Sequence, residues 1–161
     1  MQSTAPSGAE EILMGRLIAT LGTENEDGSI HLTAVWYLFD DGCLYVATSS
    51  RTRKARNLAA RPKASLMVDI RKPGSERGLV ALCTTGVIAG EGSKEINARI
   101  HQRYMSEAAL ADPRVGGTMA AMDDVTLRLT PTCWYAWDMG TLDDTIFGGA
   151  MKTPGYLLPL D

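Results

Sequence analysis

Between residues 16 and 48 the chain alternates short apolar runs with polar turns, and the spacing of those turns predicts antiparallel strands. Arg16–Thr23 reads as a strand and 24–29 as a loop holding an Asp27-Gly28 turn. Ile30–Phe39 reads as the next strand, and Asp40-Asp41-Gly42 as the turn into Cys43–Thr48. Connections this short join antiparallel neighbours and leave no room for a crossover helix. In the second strand Ile30, Leu32, Ala34, Trp36 and Leu38 share one face, and His31, Thr33, Val35, Tyr37 and Phe39 the other. Both faces carry large apolar groups, which a sheet with one wet side does not need. A cofactor or a second subunit against the outer face would supply the missing cover.

The remaining pattern adds strands and short helices. Residues 1–8 are small and polar and read as a loose tail. Ala9–Met14 reads as a short helix with Ser7 as its cap and Glu10 and Glu11 in its first turn. A second helix over 52–61 carries Ala55, Leu58 and Ala59 as its apolar stripe and stops before Pro62. Strands follow at Ala64–Ile70 and Leu79–Glu91, then a helix at Lys94–Met105 with Ile96, Ile100 and Tyr104 at four-residue spacing. Val125–Asp138 alternates again, and Pro131 inside it predicts a bulge or an edge position. From Leu142 to Asp161 the glycines and prolines predict irregular chain. The expected fold is mainly β with short helices: a single domain over 1–161, built as a six-stranded antiparallel split β-barrel.

Composition narrows the class. A chain of 161 residues with 45% hydrophobic content can bury a core, and its net charge of −3 gives no general bias toward polyanions. Cys43, Cys83 and Cys133 form no CxxC pair, and only two histidines accompany them, which argues against a closed zinc site. An odd cysteine count suits a reducing compartment, and the first fifteen residues lack the pattern of a signal peptide. No apolar run approaches the roughly 20 residues of a membrane span. The expectation is a cytoplasmic protein with neither a nucleic-acid nor a membrane partner.

One stretch departs from the acidic average. Arg51, Arg53, Lys54, Arg56, Arg61 and Lys63 lie within thirteen residues that hold no acid, directly after Thr48-Ser49-Ser50. The first amides of a helix lack intrahelical partners and sit at the positive end of its dipole. Neighbouring hydroxyls and cations complete a phosphate site at a strand-to-helix junction. The bland account is a solvated basic face on which Ser50 or Thr52 merely caps the helix. Interleaved aromatics, which a single-stranded nucleic acid would need, are missing from 49–63.

Residues Leu17–Asp69 resemble the pyridoxamine 5′-phosphate oxidase-like superfamily of flavin-binding split β-barrels. The runs that carry the likeness are 19–23 (ATLGT), 27–29 (DGS), 31–37 (HLTAVWY), 44–49 (LYVATS), 53–58 (RKARNL) and 61–66 (RPKASL). The resemblance implies a homodimer with cofactors in clefts between subunits. Carried over residue by residue, it implies that Thr48, Ser49, Arg53 and Lys54 hold the cofactor phosphate with help from Asn57. Thr33, Ala34, Val35 and Trp36 would line the ring. The implied cofactor is FMN, with the deazaflavin F420 as the alternative suggested by the RKARNL form.

The implied activity is an oxidoreductase moving a hydride between a reduced donor and a small organic acceptor. A non-catalytic flavin carrier or sensor is the other reading. The chain has no Arg or His after Arg128, whereas pyridoxine-phosphate oxidases carry such residues near the C-terminus, and haem-handling relatives use a C-terminal histidine. Neither activity is therefore expected. No protein nucleophile motif is present, in keeping with chemistry carried by a cofactor. His31 is a candidate proton donor beside the ring or else a plain strand residue, and His101 reads as surface. Trp134 and Trp137 are candidates for covering the cofactor from the partner subunit, or for core or dimer contacts.

Overall fold

The computed structural model describes residues 3–159, so the outermost ends of the expected N-terminal tail and C-terminal segment lie outside the described residues. Within them, seven strands form one antiparallel sheet: β1 (Ala19–Glu24), β2 (Ile30–Val35), β3 (Leu38–Asp40), β4 (Cys43–Thr48), β5 (Lys63–Ile70), β6 (Arg77–Ala89) and β7 (Val125–Asp138). Their spatial order is β2-β1-β5-β6-β7-β4-β3. Around them the described residues form six helices: α1 (Ala9–Met14), α2 (Arg53–Ala60), α3 (Glu91–Tyr104), α4 (Glu107–Ala111), α5 (Thr118–Met122) and α6 (Met139–Ile146).

The seventh strand corrects the expected six, and its origin explains the architecture. The run expected as one strand over Ile30–Phe39 breaks at Trp36-Tyr37. Its first part pairs with β1 (Ala19↔Val35) and its last part with β4 (Leu38↔Tyr45). β2 and β3 are thus the two ends of the sheet order, yet only two residues separate them. Val35 and Leu38 can be no more than about 11 Å apart along the chain. The sheet must therefore curl until its ends nearly meet, leaving a split at Trp36-Tyr37. The sheet is not closed; it is a split barrel.

Tyr37 secures this corner from the inside. It is fully buried, and its hydroxyl donates to the carbonyls of Ile12 (3.0 Å) and Gly15 (3.2 Å), which ties α1 to the split. Burial and the nearby Tyr104 push its phenol up to about 12. Leu21, Leu44, Val46, Leu66, Leu127 and Leu129 fill the barrel beneath it. The bulge expected at Pro131 is present: Cys83 faces Pro131 while Leu82 faces Cys133, so Thr132 is the extra residue.

Elsewhere the expected elements shift. Gly8, at φ 79°, precedes α1 in place of a Ser7 side-chain cap. Ser3 is anchored within the expected tail, its amide donating to Pro131 O (3.0 Å) and its carbonyl accepting from Trp134 Nε1 (3.2 Å). The segment expected to be irregular begins inside α6 and holds a single 3-10 turn at Ala150–Lys152. Between α3 and β7 the chain forms α4, a π-helical turn at Pro113–Gly117, and α5, none with a buried residue. No helix is long and apolar enough to cross a membrane among the described residues.

Candidate functional site

At the split, β2, β4, α2, α3 and α5 surround a cleft of about 380 Å³. Six of the nine residues expected to hold a cofactor line it together: Ala34, Val35, Trp36, Thr48, Ser49 and Lys54. Ile18, Ala47, Thr52, Ile100, Met119, Met122 and Asp123 complete the wall. The position follows from topology. β4 and β2 approach each other only where the barrel fails to close, so their ends face one space with α2 springing from its rim.

The polar rim is built locally. Thr52 caps α2, its Oγ1 accepting from the Ala55 amide (3.4 Å), and it shares a hydroxyl contact of 3.2 Å with Thr48. Thr52 therefore does cap, as the bland account held, while also lining the cleft. Ser50 is committed elsewhere: its amide and hydroxyl both donate to Asp124, at 2.6 and 2.7 Å. Those bonds, the amide first, hold the Asp124 carboxyl below the usual range. Lys54 is half-buried, and its ammonium makes no hydrogen bond or ion pair within 4.0 Å among the described residues. Burial lowers its proton affinity, and Asp123 partly opposes that. A charge held in this way, with its donors unused and facing a cavity, is costly unless an anion meets it.

The apolar side of the cleft is equally defined. The Trp36 ring lies flat on Tyr104, centroids 5.0 Å apart and planes parallel. The Tyr104 hydroxyl donates to Leu17 O at 2.7 Å, and Arg103 reaches the carbonyls of Met14 and Gly15 beneath the same pair. The indole is thus fixed by stacking before any ligand arrives.

Three expected residues lie outside this cleft. Arg53 and Asn57 face a neighbouring cleft of about 820 Å³ on the other side of α2, with Asn25, Asp27, Ser29, Arg56 and Arg61. Adjacent residues on a helix point about 100° apart, which separates Arg53 from Lys54. Asn57 is buried, its amide donating to Thr23 Oγ1 (3.1 Å) and Asn25 Oδ1 (2.9 Å), so it holds the β1–β2 turn against α2. Thr33 pairs with His31, Oγ1 to Nε2 at 2.8 Å.

The tryptophans of β7 also lie away from the cleft. Trp134 packs edge-on to Phe39, and Trp137 covers Gly78. His101 corrects its expected surface position: it is 4% exposed and its Nε2 lies 2.8 Å from Asp123 Oδ2. Asp123 is the charged cleft residue that sequence reasoning missed, beside the apolar Ile18, Ala47, Ile100, Met119 and Met122. Its only signal was an acidic pair, Asp123-Asp124, ahead of a strand.

An open-cornered antiparallel barrel with a cleft at its split defines the class as the pyridoxamine 5′-phosphate oxidase-like fold. The chain belongs to the pyridoxamine 5′-phosphate oxidase family, whose sequence signature matches residues 7–138. Among solved structures, the conserved hypothetical protein Rv2991 from Mycobacterium tuberculosis has a TM-score of 0.70 at 23% identity, covering 88% of this chain and 89% of that one. A protein described as an F420 reductase has a TM-score of 0.63 at 21% identity, covering 81% and 98%. HutZ, the heme storage protein from Vibrio cholerae, has a TM-score of 0.61 at 18% identity, covering 78% and 89%. At these identities the likeness is one of fold. No match was found among curated proteins.

Proposed function

We propose that the chain is a flavin-type oxidoreductase that binds FMN at the split of its barrel and transfers a hydride between a reduced donor and a small organic acceptor. The observation that carries this is Lys54, a half-buried cation with no hydrogen bond and no ion pair within 4.0 Å among the described residues, set beside the hydroxyls of Thr48, Ser49 and Thr52 and sharing the cleft with an apolar wall. The residues present suit such a group. A volume of about 380 Å³ lies within the usual range for small-ligand sites, and an anionic tail would answer the charge at Lys54. Lys54, Thr48 and Ser49 would hold the phosphate. Ala34, Val35 and Trp36 would lie along the ring, and Met119 and Met122 would keep water from it. When bound, the ring system itself accepts and donates the hydride.

F420 is the alternative cofactor, since it also joins a phosphate to a tricyclic ring, and a carrier or sensor is the alternative role. Haem storage, the role by which HutZ is described, gains no support from this chain. Both of its histidines have Nε2 engaged, His31 with Thr33 and His101 with Asp123.

The working unit in this proposal is a homodimer. Ile30 and Leu32 are 63% and 65% exposed on the outer face of β2, and they flank an apolar groove that includes Met67, Val80 and Leu82. A second copy would cover that face. The decisive experiment is an absorption spectrum of the purified protein, with mass identification of the molecule released on denaturation. FMN or F420 supports the proposal, and turnover with NAD(P)H and a quinone or nitro acceptor separates enzyme from carrier. A colourless protein that takes up neither cofactor would refute it.

A further inference from the structure

The cleft holds two opposite charges. Lys54 and Asp123 both line it, and Asp123, whose charge acts on Lys54, is held from three directions. Its amide donates to Met119 O (3.0 Å), its carbonyl accepts from Asn97 Nδ2 (2.8 Å), and its Oδ2 accepts from His101 Nε2 (2.8 Å). Asn97 and His101 lie one helical turn apart on the buried face of α3, at 3% and 4% exposure, so this grip is rigid. Oδ1 of Asp123 carries no protein hydrogen bond among the described residues, and Asp123 lines the cleft. Asp124 gives the contrast. Both of its oxygens are taken by Ser50, and it lines no part of the cleft.

A fixed carboxylate with one unused oxygen does two things to a ligand seated beside Lys54. It repels a second negative charge, and it accepts a hydrogen bond from any hydroxyl or N–H within reach. A bare phosphate meets only the repulsion. A phosphate ester whose next carbons bear hydroxyls meets Lys54 with its charge and Asp123 with its donors. We infer that Asp123 is a specificity-determining residue, selecting among phosphate-bearing ligands those with a polyol chain next to the anion. This rests on the reading of the cleft as the cofactor site and names the part of the ligand that the cleft recognises. The same arrangement places the phosphate on the Lys54, Thr48 and Ser49 side, away from His101.

Ring-free probes test the inference separately from the redox reading. Wild type should bind ribitol 5-phosphate at least roughly fivefold more tightly than pentyl phosphate, measured by ligand-observed NMR. Asp123→Asn and Asp123→Ala should lower affinity for the polyol ester and leave that for pentyl phosphate unchanged or raised. Circular dichroism would show which variants remain folded. Parallel losses for both probes would reduce Asp123 to a structural residue, and parallel gains would reduce it to a repulsive one. Either result overturns the inference, as does a wild-type protein that binds both probes equally, which needs no variant. Failure to take up FMN or F420 alongside a retained polyol preference would instead defeat the cofactor reading and leave the role of Asp123 standing.

Discussion

Replacing Lys54 with methionine should move affinity and stability in opposite directions. The thioether keeps an unbranched apolar stem, in a side chain one atom shorter than that of lysine, and removes the ammonium with its charge and donors. With a phosphate in the cleft, the lost interaction is a charge-assisted hydrogen bond in a half-buried setting, worth about 1.5–3 kcal/mol. That corresponds to FMN binding weaker by roughly 10- to 150-fold. Without ligand the charge is a burden, since burial disfavours it and no anion lies within 4.0 Å, so the variant should melt no lower than wild type.

Thermal melts with and without FMN check both halves. At ligand in thousandfold excess over Kd the cofactor stabilises by ~4.1 kcal/mol, and a hundredfold weaker variant at the same concentration keeps ~1.4 kcal/mol. The ligand-induced rise in Tm should thus shrink to about a third. The pH dependence has the same root. Because the folded value of Lys54 is depressed, the unliganded protein gains stability as pH rises from that value toward the unfolded one. Anion affinity falls as pH climbs through the same depressed value. Affinity of Lys54→Met within about twofold of wild type would refute the phosphate assignment.

Other expectations concern the frame around the cleft. Tyr37→Phe removes the hydroxyl's bonds to the Ile12 and Gly15 carbonyls, which keep the Gly15 amide and Arg103 as donors, and should cost about 0.5–1.5 kcal/mol in urea unfolding; an unchanged midpoint would show that α1 is not tied through that hydroxyl. Gly78→Ala should destabilise by about 1–3 kcal/mol, because a Cβ there would stand 2.7 Å from Trp137 Cζ2 and 2.9 Å from Asp69 Cβ; a neutral or stabilising result in the same assay would contradict the close packing. Ile30→Lys combined with Leu32→Lys should leave the fold intact, since both side chains are exposed, and turn a dimer into a monomer in sedimentation velocity. An unchanged sedimentation coefficient would move the interface elsewhere.

Much of the barrel is legible in the sequence, because strand alternation and turn residues are local signals. Val125–Asp138 is read to the residue, and Pro131 marks its bulge. The division of Ile30–Phe39 is not legible, since alternation continues unbroken through Trp36-Tyr37 and only the pairing partner changes. Register with β1 and β4 is a long-range property. On α3 the apolar spacing of Ile96, Ile100 and Tyr104 is visible, but the helix also buries Ser93, Asn97 and His101. These satisfy backbone and side-chain groups at the start of β7, and polar residues give no burial signal. The basic cluster pointed to the junction of β4 with α2, where the cleft opens. Residue order alone, however, does not separate Lys54 from Arg53, whose directions differ by one step of the helix.

The stretch from Ser106 to Met122 contributes a roof to the cleft yet nothing to the core. Its two ends are fastened by α3 on one side and by the Asp123 and Asp124 contacts on the other. On the proposed reading, changes in its composition would alter what the cleft admits while leaving the strands of the barrel as they are.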